Sequence, residues 1–352
     1  MTSRVLLKDA GADAIHRTGW PSDGLFQASD PGSLKELGGV ATPAFRLSAQ
    51  GALREAHPLD HVQAYDRLFQ VFKPILQRDA ERLTMIEEAV ADPRKRTTVT
   101  RADWQPFHHL KRVVDNYERY WIGFDFQSGR TARLHDRGPT GFRFRVARSV
   151  QVDATIPVSS FERQELDIAA LKAAMLGLPV RTALAGYGMA TSSHFDRNEP
   201  PRSLLLPVAR KYPAIDVCPS PLRAWFPNED HDLGRSWICG INWLTLVGEP
   251  FLSVLGGAER LLKGLPRAIE ADVSDRAVLF QLGERPITGQ KDEDDALLPL
   301  YHALGRRLKP FGEGCPSVRW PREPVFGSGA AHSSLLWERR FYDGRWFEAL
   351  RE

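Results

Sequence analysis

The chain has 352 residues, 42% of them hydrophobic and 26% charged, which is enough apolar material for a sizeable core in one large domain or two smaller ones. Lys and Arg number 47 against 44 Asp and Glu, so the formal net charge is only +3. That balance excludes a histone-like or ribosomal polycation and excludes an acidic disordered tail as the main feature.

The cysteines Cys218, Cys239 and Cys315 are too few and too far apart for a disulfide scaffold or a metal knuckle, and read as free thiols in a reducing compartment. The stretch Met1 to Asp9 carries no apolar run of signal-peptide length. No segment approaches the roughly 18 apolar residues of a membrane span. A soluble, cytoplasmic protein is expected.

In chain order, residues 1–44 are rich in breakers (Gly11, Gly19, Pro21, Gly24, Pro31, Gly32, Gly38, Gly39, Pro43) and read as an extended arm. After His57-Pro58, the three- and four-residue spacing of Val62, Tyr65, Leu68, Phe69 and Phe72 predicts a helix, with Pro58 suited to its first turn and Pro74 expected to kink or end it. A second helix is predicted from Arg78 to about Ala91, stopped by the basic run Pro93-Arg94-Lys95-Arg96, a solvated loop. From Tyr117 the period changes to two. Tyr120, Ile122, Phe124 and Phe126 mark one strand, and Phe142, Phe144 and Val146 a second, with Arg143 and Arg145 on its wet side. Val150 to Val158 is a third strand candidate, ended by Pro157.

Arg163 to Leu176 reads as a helix with Leu166, Ala169, Ala170, Ala173 and Leu176 inward and Gly177 as its C-terminal cap. Arg181 to Ala190 is a glycine-bearing strand or turn, and Ala214 to Cys218 a short strand. Trp237 to Val247 is almost wholly apolar and should be one central, doubly covered strand, followed by a short helix from Phe251 to Leu255 capped by Gly256-Gly257. Arg276 to Leu282 is another buried strand. Leu297, Tyr301, Leu304 and Leu308 form a helical stripe between Pro299 and Pro310. Beyond residue 313 lie Trp320, Phe326, Trp337, Phe341, Tyr342, Trp346 and Phe347, too much aromatic surface to leave in water, and Asp343-Gly344 predicts a C-terminal β-hairpin docked on the body. No tandem repeat of fixed period occurs, although both halves show strands followed by one amphipathic helix.

Catalytic patterns are scarce. Gly327-Ser328-Gly329 lacks the spacing of a nucleophile elbow, and Gly186-Tyr187-Gly188 lacks the third glycine of a dinucleotide loop. His57 and His61 have helical spacing but no third ligand, and His108-His109 cannot share a helical face. The loop Asn228-Glu229-Asp230-His231-Asp232 gathers oxygen ligands without the glycine and late glutamate of a calcium loop. The run Lys291-Asp292-Glu293-Asp294-Asp295 precedes a helix, whose macrodipole favours acids there. Alternatively, both acidic loops form a patch for a basic partner, as carboxylates would suit a protein that covers a cationic cleft. A binding protein is favoured over an enzyme, and no cofactor or metal is expected. The rival is a metal-assisted hydrolase using the 228–232 cluster.

The block Trp237-Ile238-Cys239-Gly240-Ile241-Asn242-Trp243-Leu244-Thr245-Leu246-Val247-Gly248-Glu249-Pro250, followed by Phe251 to Gly257, resembles the signature of the type VI immunity family, whose members show a Gly-Val-Asn-Trp-Leu-Thr-Leu-Leu-Gly-Asp-Pro stretch and an apolar helix ending in Gly-Gly. Leu279 to Pro286 and Leu298 to Pro310 resemble further family segments in order and spacing, and Tyr212 to Asp216 and Ala185 to Gly188 fit more loosely. The resemblance covers about 118–311, while residues 1–100 and 313–352 match nothing in it.

It implies neutralisation, inside the producing cell, of a toxin delivered by type VI secretion, often a nuclease. An effector adaptor or chaperone is the second rival. The expected architecture is α+β: a mixed or antiparallel sheet with amphipathic helices packed on it, divided as an arm (1–44), an immunity-like domain (45–312) and an aromatic segment (313–352). The expected partner is a cognate effector protein, with no direct nucleic acid and no membrane. Candidate contacts are Trp225 as an aromatic anchor with Glu229, Asp230, Asp232, Asp292, Glu293, Asp294 and Asp295, while the Asn-Trp-Leu-Thr run should be core.

Overall fold

The computed structural model describes residues 41–52, 62–79, 83–87, 96–98, 104–107, 122–128, 138–146, 149–191, 205, 208–218, 224–225, 237–238, 240–290, 294–311 and 336–349. In chain order the elements are β1 (Ala41–Ala52), α1 (Val62–Arg78), β2 (Leu83–Glu87), β3 (Arg96–Thr98), β4 (Ile122–Ser128), β5 (Gly141–Val146), β6 (Ser149–Ile156), α2 (Val158–Glu162), α3 (Ile168–Leu176), β7 (Thr182–Thr191) and β8 (Ala224–Trp225). They continue with β9 (Trp237–Ile238), β10 (Leu244–Gly248), α4 (Phe251–Val254), α5 (Gly257–Leu262), β11 (Ile269–Val273), β12 (Ala277–Leu282), α6 (Leu298–Leu308), a 3-10 turn (Lys309–Phe311), α7 (Arg340–Asp343) and α8 (Arg345–Ala349). The class is α+β. Ten strands form one sheet in the order β11-β12-β10-β7-β1-β6-β5-β4-β2-β3, and β8-β9 is a separate ribbon. Every pairing in the large sheet is antiparallel.

One face of the sheet is apolar. Phe45 and Leu47 of β1, Phe124 and Phe126 of β4, Phe142 and Phe144 of β5, and Val152 and Ala154 of β6 all lie there, buried. The stripe predicted for α1 covers part of it. Phe69 meets the rings of Phe142, Phe126 and Phe124 at 5.1, 5.8 and 6.2 Å, and Tyr65 meets Phe144 at 5.2 Å. Each such side chain contributes about 1.5–3 kcal/mol through burial. α1 runs through Pro74 to Arg78, contrary to the expected stop. Gln70 and Pro74 both lie on the exposed face, where water can replace the missing amide donor.

The opposite face departs from expectation more deeply. Arg143 and Arg145, expected to be wet, are 4% and 9% exposed. Register aligns Asp125, Arg143 and Asp153 across β4, β5 and β6, and Thr155 of β6 faces Arg46 of β1. Arg143 Nε donates to Asp125 Oδ2 at 2.8 Å. Arg46 forms a bidentate pair with Asp153 at 2.8 and 3.0 Å. Its Nη1 donates to the Cys218 carbonyl at 2.6 Å and lies 3.6 Å from Asp216 Oδ2. Charge pairing of this quality is what lets polar side chains sit under cover on the second face of a sheet.

Other elements also correct the sequence reading. The helix predicted from Arg78 to Ala91 gives way to β2, because pairing with β4 (Leu83↔Ser128 to Glu87↔Phe124) overrides a weak local pattern. Arg163 to Glu165 form a turn, and α3 begins only at Ile168, with Asp167 accepting from the Ala170 amide at 2.9 Å. Its buried residues are Leu171 and Met175, with Ala169 and Ala173 exposed. Ala214 to Cys218 contributes a single parallel bridge, Asp216 to Gly188, instead of a strand. β1 starts inside the predicted arm and is the central strand that sequence reasoning passed over, as were β8 and the edge strand β11.

The expected single strand over 237–247 is broken. Gly240 (φ 87°) turns the chain, so that β9 pairs with β8 and β10 enters the large sheet between β7 and β12. The Asn-Trp-Leu-Thr run fixes that turn. Asn242 Oδ1 accepts from the Trp243 amide at 2.8 Å, Thr245 Oγ1 donates to the Asn242 carbonyl at 2.7 Å, and Trp243 Nε1 donates to the Gly283 carbonyl at 2.9 Å. Asn242 lies directly on β7, where a Cβ at Gly186 would fall 2.0 Å from its Oδ1. All four residues are buried.

The hairpin expected at Asp343-Gly344 does not form. Residues 340–349 form α7 and α8, separated by Gly344 in the left-handed region (φ 77°). A two-residue hairpin turn of the expected type needs positive φ at two successive residues, and only Gly344 has it. The spacing of Trp337 to Phe341 and of Tyr342 to Trp346 is helical, and all four rings are buried. Strands followed by helices do recur, with β1-α1 beside β6-α2-α3. The two wings outside them, β7-β10-β12-β11 and β5-β4-β2-β3, are wound in different chain orders.

Two predictions follow from the packing. Arg46→Met should destabilise the fold by about 3–5 kcal/mol, because Asp153 and Asp216 would stay buried without their cation, whereas Arg46→Met with Asp153→Leu should recover part of the loss in urea unfolding. At the end of α1, Arg78 bonds to Glu165 and to Ser160 Oγ (3.0 Å), and Arg163 to Glu165 at 2.8 Å. Partial burial raises the Glu165 pKa, but hydrogen bonds from Arg163, Arg78 and Ser160 outweigh it and lower the carboxyl to about 2. A depressed pKa contributes stability above the ordinary carboxylate range that is lost as pH falls through the folded value. The stability gap between wild type and Glu165→Gln should therefore narrow from about pH 5 towards pH 2, as read by urea titration at each pH.

Candidate functional site

The expected contact residues fall in different settings. Glu229, Asp230, Asp232, Asp292 and Glu293 lie outside the described residues, as do His57, His61, His108 and His109. Trp225 ends β8, where its backbone pairs with Trp237. Asp294 is 3% exposed. Its Oδ2 accepts from the Thr288 amide, the Thr288 hydroxyl and the Gly289 amide at 2.8, 2.8 and 2.9 Å, and its Oδ1 pairs with Arg285 at 3.1 Å. This carboxylate therefore ties the loop after β12 to the approach of α6. It does not cap the helix dipole through its side chain, since only its main-chain carbonyl accepts from the Leu298 amide. Asp295, the next residue, is exposed.

Asp295 opens onto an open groove of ≈ 490 Å³ between α6 and the pair α7–α8. Leu298, Pro299, His302, Phe341, Tyr342 and Phe347 line its apolar part, with Asp295, Arg306, Asp343, Gly344 and Glu348 around them. Local sequence explains the shape. Pro299 sits in the first turn of α6, and the buried stripe Tyr301, Leu304 and Leu308 turns His302 and Arg306 outward. Gly305 lets α7 approach closely, because a Cβ there would meet the Phe341 carbonyl at 2.1 Å. Gly344 then reverses the chain so that Phe347 and Glu348 return to the groove.

Aromatic contacts hold the walls. The His302 ring lies 5.2 Å from Phe347 and 5.8 Å from Phe341, both edge-on, and its Nδ1 is 3.4 Å from the Phe341 carbonyl. Tyr342 OH donates to the Ile238 carbonyl at 3.2 Å and anchors α7 to β9. Arg340 stacks over Trp337 at 3.9 Å and Phe341 at 4.6 Å. Asp343 accepts from Arg345 at 2.7 and 3.0 Å, and that hydrogen bond, with the attraction behind it, raises the arginine pKa. The groove can grip a side chain by apolar contact and by charge.

Sequence reasoning named Asp295 but missed His302, Arg306, Phe347 and Glu348. The signal is present in the four-residue spacing of 298, 302 and 306 on the outer face of a helix read only for its buried stripe, and in the three- and four-residue spacing of 344, 347 and 348, where Asp343-Gly344 points to a hairpin instead. Among the described residues no helix is long and apolar enough to cross a membrane.

A family model described as type VI immunity for VRR-NUC (TsiV) matches residues 145–341, the span from the end of β5 through α6 into α7. A solved structure of a Pseudomonas aeruginosa T6SS protein aligns with a TM-score of 0.63 at 20% identity, covering 89% of this chain and 87% of that one. At that identity the likeness speaks for the fold. No curated protein matches the chain.

Gly305→Ala should lift α7 off α6. Expected are a loss of about 1–3 kcal/mol in thermal unfolding and faster proteolysis near residue 340, while Ala303→Gly on the same helix should leave proteolysis there unchanged.

Proposed function

We propose that this chain, which belongs to TsiV, the type VI immunity family for VRR-NUC, binds a cognate VRR-NUC effector in the cytoplasm and silences it by covering its active cleft. The family match over residues 145–341 carries the reading, since it takes in one whole wing of the sheet and the helix that lines the groove. The mechanism is steric and electrostatic, with no bond-making step on this chain. A nuclease must present cationic groups to phosphates, and carboxylates on a pre-formed surface complement them. The contacts are Trp225 as an aromatic anchor, with the carboxylates of Glu229, Asp230, Asp232, Asp292, Glu293 and Asp295 around it in the interface. Asp294, held within its own loop, positions Asp295.

Co-expression tests this directly. A bacterium carrying the effector alone should stop growing, and one carrying both proteins should grow. With purified proteins, DNA cleavage should fall to background at one equivalent of this chain. Continued killing despite abundant protein would overturn the proposal. A stable complex that still cuts DNA would mark an adaptor or chaperone instead.

A further inference from the structure

We propose that the groove between α6 and α7–α8 receives an arginine side chain of the effector, with its guanidinium laid against the aromatic wall and paired to Asp295 and Glu348. The inference rests on the immunity reading and adds the place and chemistry of one anchor. Three features support it together. The groove is a cavity of ≈ 490 Å³, a size that accepts a long side chain with its flanking backbone. Its lining has three carboxylates, Asp295, Asp343 and Glu348, against one arginine, Arg306. Asp343 is engaged by Arg345, which also attracts Glu348, so the negative charge left for a ligand rests chiefly on Asp295 with a share on Glu348, both exposed.

The wall chemistry selects the occupant. The half-buried His302 ring lines the cavity beside the buried rings of Phe341 and Phe347, and a planar cation gains by lying over an aromatic face while its N–H groups fork onto a carboxylate. Arg340 of α7 already shows this mode internally, since it stacks 3.9 Å over Trp337, just before the helix, and 4.6 Å over Phe341. A lysine would satisfy the charge but would forgo the stacking. On the partner's side, a nuclease presents arginines at the surface that meets phosphate, so an anchor there would block the nucleic acid as it binds.

The test uses the full chain and a nuclease-inactive effector. Asp295→Lys with Glu348→Lys should weaken binding by about tenfold or more in calorimetry and flatten its salt dependence. Its melting temperature should fall by no more than about 3 °C, because both side chains are exposed and what is lost is their favourable placement near helix N-termini. Glu270→Lys with Asp272→Lys on the exposed edge strand β11 makes the same charge change elsewhere and should leave affinity within about twofold. A groove variant that binds like wild type overturns the anchor while leaving the immunity reading intact. Equal weakening by both pairs overturns it in favour of diffuse charge steering. Failure of the wild-type chain to bind the effector would overturn both readings.

Discussion

The bidentate pair between Arg46 and Asp153 is the constraint on which the rest of the sheet depends. β1 and β6 are neighbours at the middle of the ten-stranded order, and each carries one member of the pair. The same guanidinium reaches the Cys218 carbonyl and approaches Asp216, so it also fixes the segment that bridges to β7. One buried cation thus sets the register of two central strands and the position of a crossing segment. An apolar core alone tolerates register error more readily than a buried charge that must find its partner, because a slip leaves the charge desolvated and unpaired. The apolar face supplies the bulk of the stabilisation, and on the polar face a slip in register would strand buried charges.

Around that centre, single small residues decide where surfaces meet. Gly186 admits Asn242 onto β7, and Asn242 in turn holds the bend that delivers β10 into the sheet. Gly305 admits α7 onto α6, and Gly344 returns the chain so that Phe347 and Glu348 face the groove. The groove therefore needs no separate domain. It arises where the last helix of the matched family span receives a tail that lies mostly beyond that span. Helix α8, which supplies Phe347 and Glu348, falls outside the family match.

Much of the fold was legible wherever one physical signal dominated. The period of two at Phe142-Phe144-Val146, the stripe of α1 and the Pro-bounded helix α6 each stand where the pattern places them. Failures have specific causes. Alternation at Arg143 and Arg145 gives a strand correctly but says nothing about a carboxylate on the next strand that lets the polar face be buried. β2 depends on β4 for its hydrogen bonds, and a five-residue segment carries too little local preference to declare that. Asp343-Gly344 carries a hairpin signal and a helix-cap signal together, and the helical spacing of the flanking aromatics decides between them. The groove was missed for the same reason, since half of it is built by that tail. Asp294 was misjudged because an acid run says nothing of which carboxylate turns inward to Thr288.

Hydrogen exchange on the complex with the effector measures the central claim most directly, that an already folded scaffold silences its partner by contact through a small part of its surface. Bound effector should slow exchange over 225–232, 292–306 and 341–349, while the amides of β1 and β6 stay as protected as in the free chain. Unchanged exchange across all three segments in a complex that still inhibits, or protection appearing first in the central strands as though the chain folded on its partner, would contradict it.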